Sequence, residues 1–91
     1  FSGLSSDLFG DQLRAVLEAS RVDAGLSVVS GRPTTLAFVR LRDGHASYTF
    51  YDENTAGRML AAGDLPPLPP EVEALFLGGI SLVGEPCGSA Y

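Results

Sequence analysis

Asp52 and Glu53 are the closest this chain comes to a carboxylate pair, and they are adjacent. On an extended strand neighbouring side chains point to opposite faces, so these two cannot share a proton or grip one substrate atom. His45 is the single histidine and flanks an Asp43-Gly44 dipeptide, where it reads as a solvated turn residue rather than a general base. Cys87 is the single cysteine, which excludes an intrachain disulfide. It reads as a small packing residue, with a reactive thiol as the alternative. Without further Cys or clustered His there is no zinc-type ligand set. No Ser/His/Asp arrangement and no phosphate-binding loop can be assembled from the rest, so no catalytic residue is assigned. Gly78-Gly79 either brings backbone close to a ligand or permits close packing at a strand end.

Charge narrows the partners. There is no Lys, the six Arg are scattered (Arg14, Arg21, Arg32, Arg40, Arg42 and Arg58), and the formal net charge is −5. Binding to nucleic acid by counterion release needs clustered cations, and an acidic surface repels phosphate, so neither nucleic acid nor an anionic membrane is an expected partner. A composition 45% hydrophobic and 19% charged is that of a globular domain, without an apolar run long enough to span a bilayer. Together with the lone cysteine this predicts a soluble chain of a reducing cytoplasm. The chain opens on Phe1 and closes on Ser89, Ala90 and Tyr91, as a segment of a longer protein would, and 91 residues allow one small core at most.

The elements that position these side chains follow from periodicity. From Asp7 to about Ser20, Phe9, Leu13, Val16 and Leu17 fall on one helical face, with Asp7 as N-cap and Asp11, Arg14 and Glu18 on the wet side. Leu26, Val28 and Val29 suggest a short strand ended by Gly31 and Pro33. Thr34 to Tyr51 is the clearest signal: two alternating segments rich in Thr, Val, Phe and Tyr around Asp43-Gly44, the dipeptide of a type I′ turn. That loop pairs Arg42 with His45, Val39 with Tyr48, Ala37 with Phe50 and Thr35 with Asp52. One face then carries Ala37, Val39, Leu41, Ala46, Tyr48 and Phe50, and the other Leu36, Phe38, Arg40, Ser47, Thr49 and Tyr51. A lone hairpin is marginal, so these faces require a partner. Asn54 to Ala62 suggests a short helix stopped by Gly63. The run Leu65-Pro66-Pro67-Leu68-Pro69-Pro70 has PxxP spacing but an acidic flank, and reads as a rigid connector. Ala74 to about Gly79 reads as a strand buried on both faces, as in a parallel sheet. The sum argues an α/β fold.

The order of these segments resembles the ribokinase-like, or PfkB, carbohydrate kinases, most closely their fructokinase branch, over essentially all 91 residues. Phe1 to Leu13 (Phe-Ser-Gly-Leu-Ser-Ser-Asp-Leu-Phe-Gly-Asp-Gln-Leu) is similar to the family's strand end and following helix. Pro33 to Val39 resembles its first lid strand, and Tyr48-Thr49-Phe50-Tyr51-Asp52-Glu53-Asn54-Thr55-Ala56 the second lid strand with its exit. Leu77-Gly78-Gly79-Ile80-Ser81-Leu82 resembles a core strand.

The resemblance implies a Rossmann-type α/β domain with a small β-sheet lid, in which residues 1–33 and 53–91 belong to the core and 34–52 form the lid hairpin. It implies phosphorylation of a sugar hydroxyl, with fructose as the favoured substrate and ATP and Mg as cofactors. Lid residues that face the sugar fall on Ala37, Val39 and Phe50, with Asp52 at the matching polar position; the alternative is that Asp52 only ends a strand in solvent. In the ketodeoxygluconate kinase branch that position is Arg, so an anion here would disfavour a sugar acid. Two like charges about 4 Å apart at an effective dielectric of about 20 repel by roughly 4 kcal/mol, of which screening leaves about 1 to 2. The family's sugar-binding Asp and Gly-Gly segment would precede Phe1, and its Gly-Ala-Gly-Asp motif, with the catalytic base and anion hole, would follow Tyr91. The chain alone is therefore expected to be inactive. Lid sheets of this family clasp each other between subunits, which makes a homodimer through the hairpin, or a purely non-catalytic interaction module, the competing expectation. A nucleoside or ketodeoxygluconate kinase is the rival inside the enzyme class.

Overall fold

Asp7 sets the first element in place. In the computed structural model, which describes residues 1–91, its backbone is extended and its side chain accepts from the Gly10 N–H, so it caps helix α1 (Leu8–Ala19) as the sequence predicts. Strand β1 (Gly3–Ser5) leads into that helix and β2 (Val28–Ser30) follows it. The two strands pair in parallel, Gly3 with Val28 and Ser5 with Ser30, making a βαβ unit. The helix lies close on β1. A Cβ on Gly10 would come within 1.9 Å of the Ser5 carbonyl oxygen, so only glycine permits this approach.

Strands β3 (Leu36–Arg42) and β4 (His45–Tyr51) form an antiparallel hairpin in the expected register, Arg42 opposite His45 and Ala37 opposite Phe50. Asp43 and Gly44 both take positive φ, 49° and 78°, as a type I′ turn demands. The Tyr48 and Phe50 rings stack on one face, with centroids 6.2 Å apart, and Phe38 meets Tyr51 edge-on across the other at 5.6 Å. Both pairs obey the alternation read from the sequence. Apart from half-buried Leu36, every residue of the two strands is exposed.

The core is small and sits below the hairpin. Leu4, Ala56, Leu60 and Cys87 are its buried apolar residues, and Ser5, Thr34 and Thr55 are buried with them. The feet of the hairpin are stitched to each other: Thr35 and Thr55 hydroxyls hydrogen-bond at 2.7 Å, the Thr55 hydroxyl donates to the Asp52 carbonyl at 2.9 Å, and the Ala56 N–H donates to the Pro33 carbonyl at 2.9 Å. Cys87 opens a single helical turn, α2 (Cys87–Ala90), and its thiol donates toward the Ser81 and Gly84 carbonyls at 3.2 and 3.0 Å. The packing role read for it holds.

Three expectations are corrected. No strand forms over 74–79: residues 72–78 are irregular and Gly79–Leu82 coil into a 3-10 turn, closed by the Ser81 N–H on the Gly78 carbonyl. A parallel strand exists only where a neighbour completes its ladder, and the one parallel sheet here contains β1 and β2 alone. The apolar side chains of the run are consequently exposed, Phe76 to 94%. The helix expected from Asn54 to Ala62 is reduced to turns, with one helical hydrogen bond from the Met59 N–H to the Thr55 carbonyl. Its entry is blocked by Asn54 at φ 58°, which lies outside the right-handed helical region. Gly78 and Gly79 border open space, with no atom within 4 Å of where a Cβ would stand, so close packing is not their role.

Candidate functional site

Where the hairpin meets the core there is a cleft of about 530 Å³. Its walls come from β1, the two hairpin feet and the C-terminal turn, and include Ser5, Thr34, Phe50, Asp52, Arg58 and Cys87. Of the four residues singled out in the sequence, Phe50 and Asp52 line it. Ala37 and Val39 do not, although both lie on the hairpin face of Phe50. A second, apolar hollow of about 270 Å³ lies between Phe1, Leu68, Leu77 and Tyr91 and has no charged side chain in its wall.

Phe50 reaches the cleft because β4 ends one residue later, at its foot. Asp52 follows as the chain leaves the strand, and its surroundings differ from the sequence-based picture. The Asp52 carboxylate is not a free anion: its Oδ2 accepts from Arg58 at 2.5 Å. The turn over 53–57 brings Arg58 back beneath the strand end, a meeting that residue spacing on a strand or helix does not foretell. A neutralising cation at contact distance removes most of the repulsion expected against a sugar acid. The Arg58 guanidinium is itself held by the Glu85 carbonyl, which accepts from Nε at 3.1 Å.

The other polar feature is a junction that the sequence reading saw only in part. Beyond capping α1, Asp7 accepts from the Thr34 N–H at 2.8 Å and the Thr34 hydroxyl at 2.6 Å, while its own N–H donates to Ser5 Oγ at 3.0 Å. One carboxylate thus joins the helix N-terminus to the base of β3. The Thr34 hydroxyl and N–H, followed by the Gly10 N–H, hold the Asp7 carboxyl well below the usual carboxylate range. Only the capping half of this role has a local signature, since Thr34 is 27 residues away.

These side chains do not make a phosphoryl-transfer centre. No group of three or more His, Cys, Asp and Glu side chains is disposed to hold a metal ion. The N-terminus of α1, the one long helix, is occupied by the Asp7 carboxylate rather than open to a phosphate. The residues present do not fit ATP or Mg as a complete site. What they offer is an aromatic ring, a fixed carboxylate and hydroxyls on the wall of a cleft under a hairpin.

Comparison with known proteins gives the chain a context. No family model matches the chain. A fructokinase of Rhizobium leguminosarum bv. trifolii is 48% identical over 91 residues, covering 100% of this chain and 28% of that protein. Fructokinase-1 of Zea mays is 42% identical over 91 residues, covering 97% of this chain and 28% of its own length. The chain thus spans 28% of the length of these relatives. The crystal structure of a fructokinase with bound ATP from Xylella fastidiosa superposes with a TM-score of 0.64 at 34% identity, over 72% of this chain and 21% of that one. Over its whole length the chain is similar to one segment of these fructokinases.

Proposed function

We propose that this chain is the part of an ATP-dependent sugar kinase that covers the sugar, with fructose as the substrate and the nucleotide, Mg and catalytic base held by residues outside it. The observation that carries the reading is the fructokinase likeness along all 91 residues, joined to a cleft whose wall combines Phe50 with Asp52. In this reading residues 34–52 are the lid and residues 1–33 and 53–91 belong to the α/β core.

The chemistry asked of the segment is positioning and exclusion of water. Phosphoryl transfer gains most from holding the acceptor hydroxyl in line and from a dry surrounding in which charge stabilisation is strong. Phe50 covers the C–H face of the sugar, Ala37 and Val39 extend that apolar cover as the hairpin closes, and Asp52 accepts from a sugar hydroxyl. No helix of the chain is long and apolar enough to cross a membrane, and the proposed location is the cytoplasm. Homodimerisation through the hairpin is supported by the exposure of both its faces and is compatible with the kinase reading.

The test is a coupled assay of a full-length enzyme carrying this segment, with ATP and Mg and a panel of fructose, ribose, adenosine and 2-keto-3-deoxygluconate. Fructose is expected to give the highest kcat/KM, and the 91-residue chain by itself no turnover. A higher kcat/KM for any other member of the panel overturns the substrate assignment.

A further inference from the structure

Arg58 shares a cleft with Asp52, and it is pinned there on several sides. Its guanidinium donates to Asp52 Oδ2 at 2.5 Å and to the Glu85 carbonyl at 3.1 Å. Gly84 closes off the space beside it, since a Cβ there would come within 3.2 Å of Arg58 Cζ and Nε. The Arg58 main chain is fixed too, its carbonyl accepting from the Cys87 N–H at 3.2 Å. A long side chain anchored in this way has little rotamer freedom left, and the carboxylate it holds loses rotation with it. Asp52 Oδ1 accepts no hydrogen bond within the chain, and Arg58 NH2 donates none. The side chains are 41% and 35% exposed, respectively, and both residues line the cleft.

We propose that Arg58 is a positioning and specificity-determining residue of the sugar site: it fixes Asp52 as an acceptor for a neutral sugar hydroxyl, while Asp52 masks a cation that would otherwise bind the carboxylate of a sugar acid. The proposal rests on the sugar-kinase reading above. The two halves of the pair act in opposite senses. Without Arg58, Asp52 keeps its charge but rotates freely, and the cost of ordering it falls on substrate binding. Without Asp52, the Arg58 fork stays anchored through Glu85 and offers NH1 and NH2 to a carboxylate, the pairing for which a planar guanidinium is suited. Discrimination against acids then resides in the occupancy of Arg58 rather than in repulsion by Asp52.

The experiment measures kcat and KM of the full-length enzyme for fructose and for 2-keto-3-deoxygluconate in the wild type, Arg58→Met, Arg58→Lys, Asp52→Ala and the double variant Asp52→Ala/Arg58→Met. Arg58→Met is expected to raise KM for fructose about tenfold with a smaller effect on kcat, and Arg58→Lys to recover part of that loss, since Lys keeps the charge without the fork. Asp52→Ala is expected to raise kcat/KM for the sugar acid about tenfold, and the double variant to abolish the gain. That gain is read without any change at Arg58, so its absence overturns the masking role even where the Arg58 variants fold poorly. An unchanged fructose KM in a folded Arg58→Met enzyme overturns the positioning role. An acid gain that is absent, or that survives in the double variant, overturns the masking role. A wild type that phosphorylates no sugar sinks the kinase reading and this inference together, which separates that failure from a failure at Arg58 alone.

Discussion

The hairpin over 36–51 and the segment over 65–83 are both rich in apolar side chains and both stand largely uncovered, yet only the hairpin forms strands. The hairpin closes its hydrogen bonds between residues joined by a two-residue turn, so its ladder forms without help from elsewhere. Leu75, Phe76 and Leu77 belong to a run whose backbone groups would be satisfied only by distant strands. Without them the run stays irregular and its side chains point outward. Regularity here is decided by the sequence distance of the partner, not by how apolar the residues are.

This contrast is sharpest at Phe76, 94% exposed, against Leu41, 74% exposed on the hairpin. A side chain so open is tolerated singly, but a contiguous apolar run calls for cover. In a full-length enzyme carrying this segment, Phe76→Ala is expected to cost about 3 to 5 kcal/mol in thermal or urea unfolding, and Leu41→Ala less than about 0.5 kcal/mol. Equal costs at the two positions would erase the distinction between them.

Glycine substitutions probe the same divide from the tight side. Gly10→Ala forces a methyl to within 1.9 Å of the Ser5 carbonyl oxygen, which must shift with β1. The expected loss is about 3 kcal/mol. Gly78→Ala adds a methyl to open space and is expected to change stability by less than about 0.5 kcal/mol. A tolerated Gly10→Ala would show that α1 does not lie on β1 as closely as described.

The Asp7 junction, by contrast with the hairpin tip, depends on charge. Because its carboxyl is depressed in the folded chain, its contribution to stability is fully present above the unfolded carboxylate pKa of about 4 and is lost as pH falls through the lower folded value. The stability gap between wild type and Asp7→Asn is therefore expected to be constant from pH 7 to about 5 and to narrow only in stronger acid. A gap that closes near neutrality would contradict the hydrogen-bonding assigned to Thr34. At the hairpin tip, Gly44→Ala strains a residue at φ 78° and is expected to cost about 1 kcal/mol, confined to the hairpin.

The elements legible in the sequence are those specified by neighbours. Asp7 as N-cap, the face of α1 and the hairpin register all rest on contacts within a few residues or across one tight turn. The strand expected near 74–79 was not legible because an apolar run does not encode whether a ladder partner is present. The site divides along the same line. Phe50 and Asp52, which line the cleft, were singled out through pattern and resemblance, and their shared face through alternation. Arg58 was missed because a turn with Asn54 at positive φ, not a periodic element, folds it back onto Asp52. The second role of Asp7 was missed because Thr34 lies beyond the helix and a strand.

Cys87 gives the C-terminal turn a chemical signature. Its sulfur is buried and donates to the Ser81 and Gly84 carbonyls, in a turn whose first N–H also donates to Arg58. A thiol in that setting resists alkylation for as long as 79–90 stays docked, because a reagent reaches only the exposed thiolate. As the only sulfhydryl in the chain, it makes the rate of thiol labelling a direct clock for the opening of the segment that anchors Arg58.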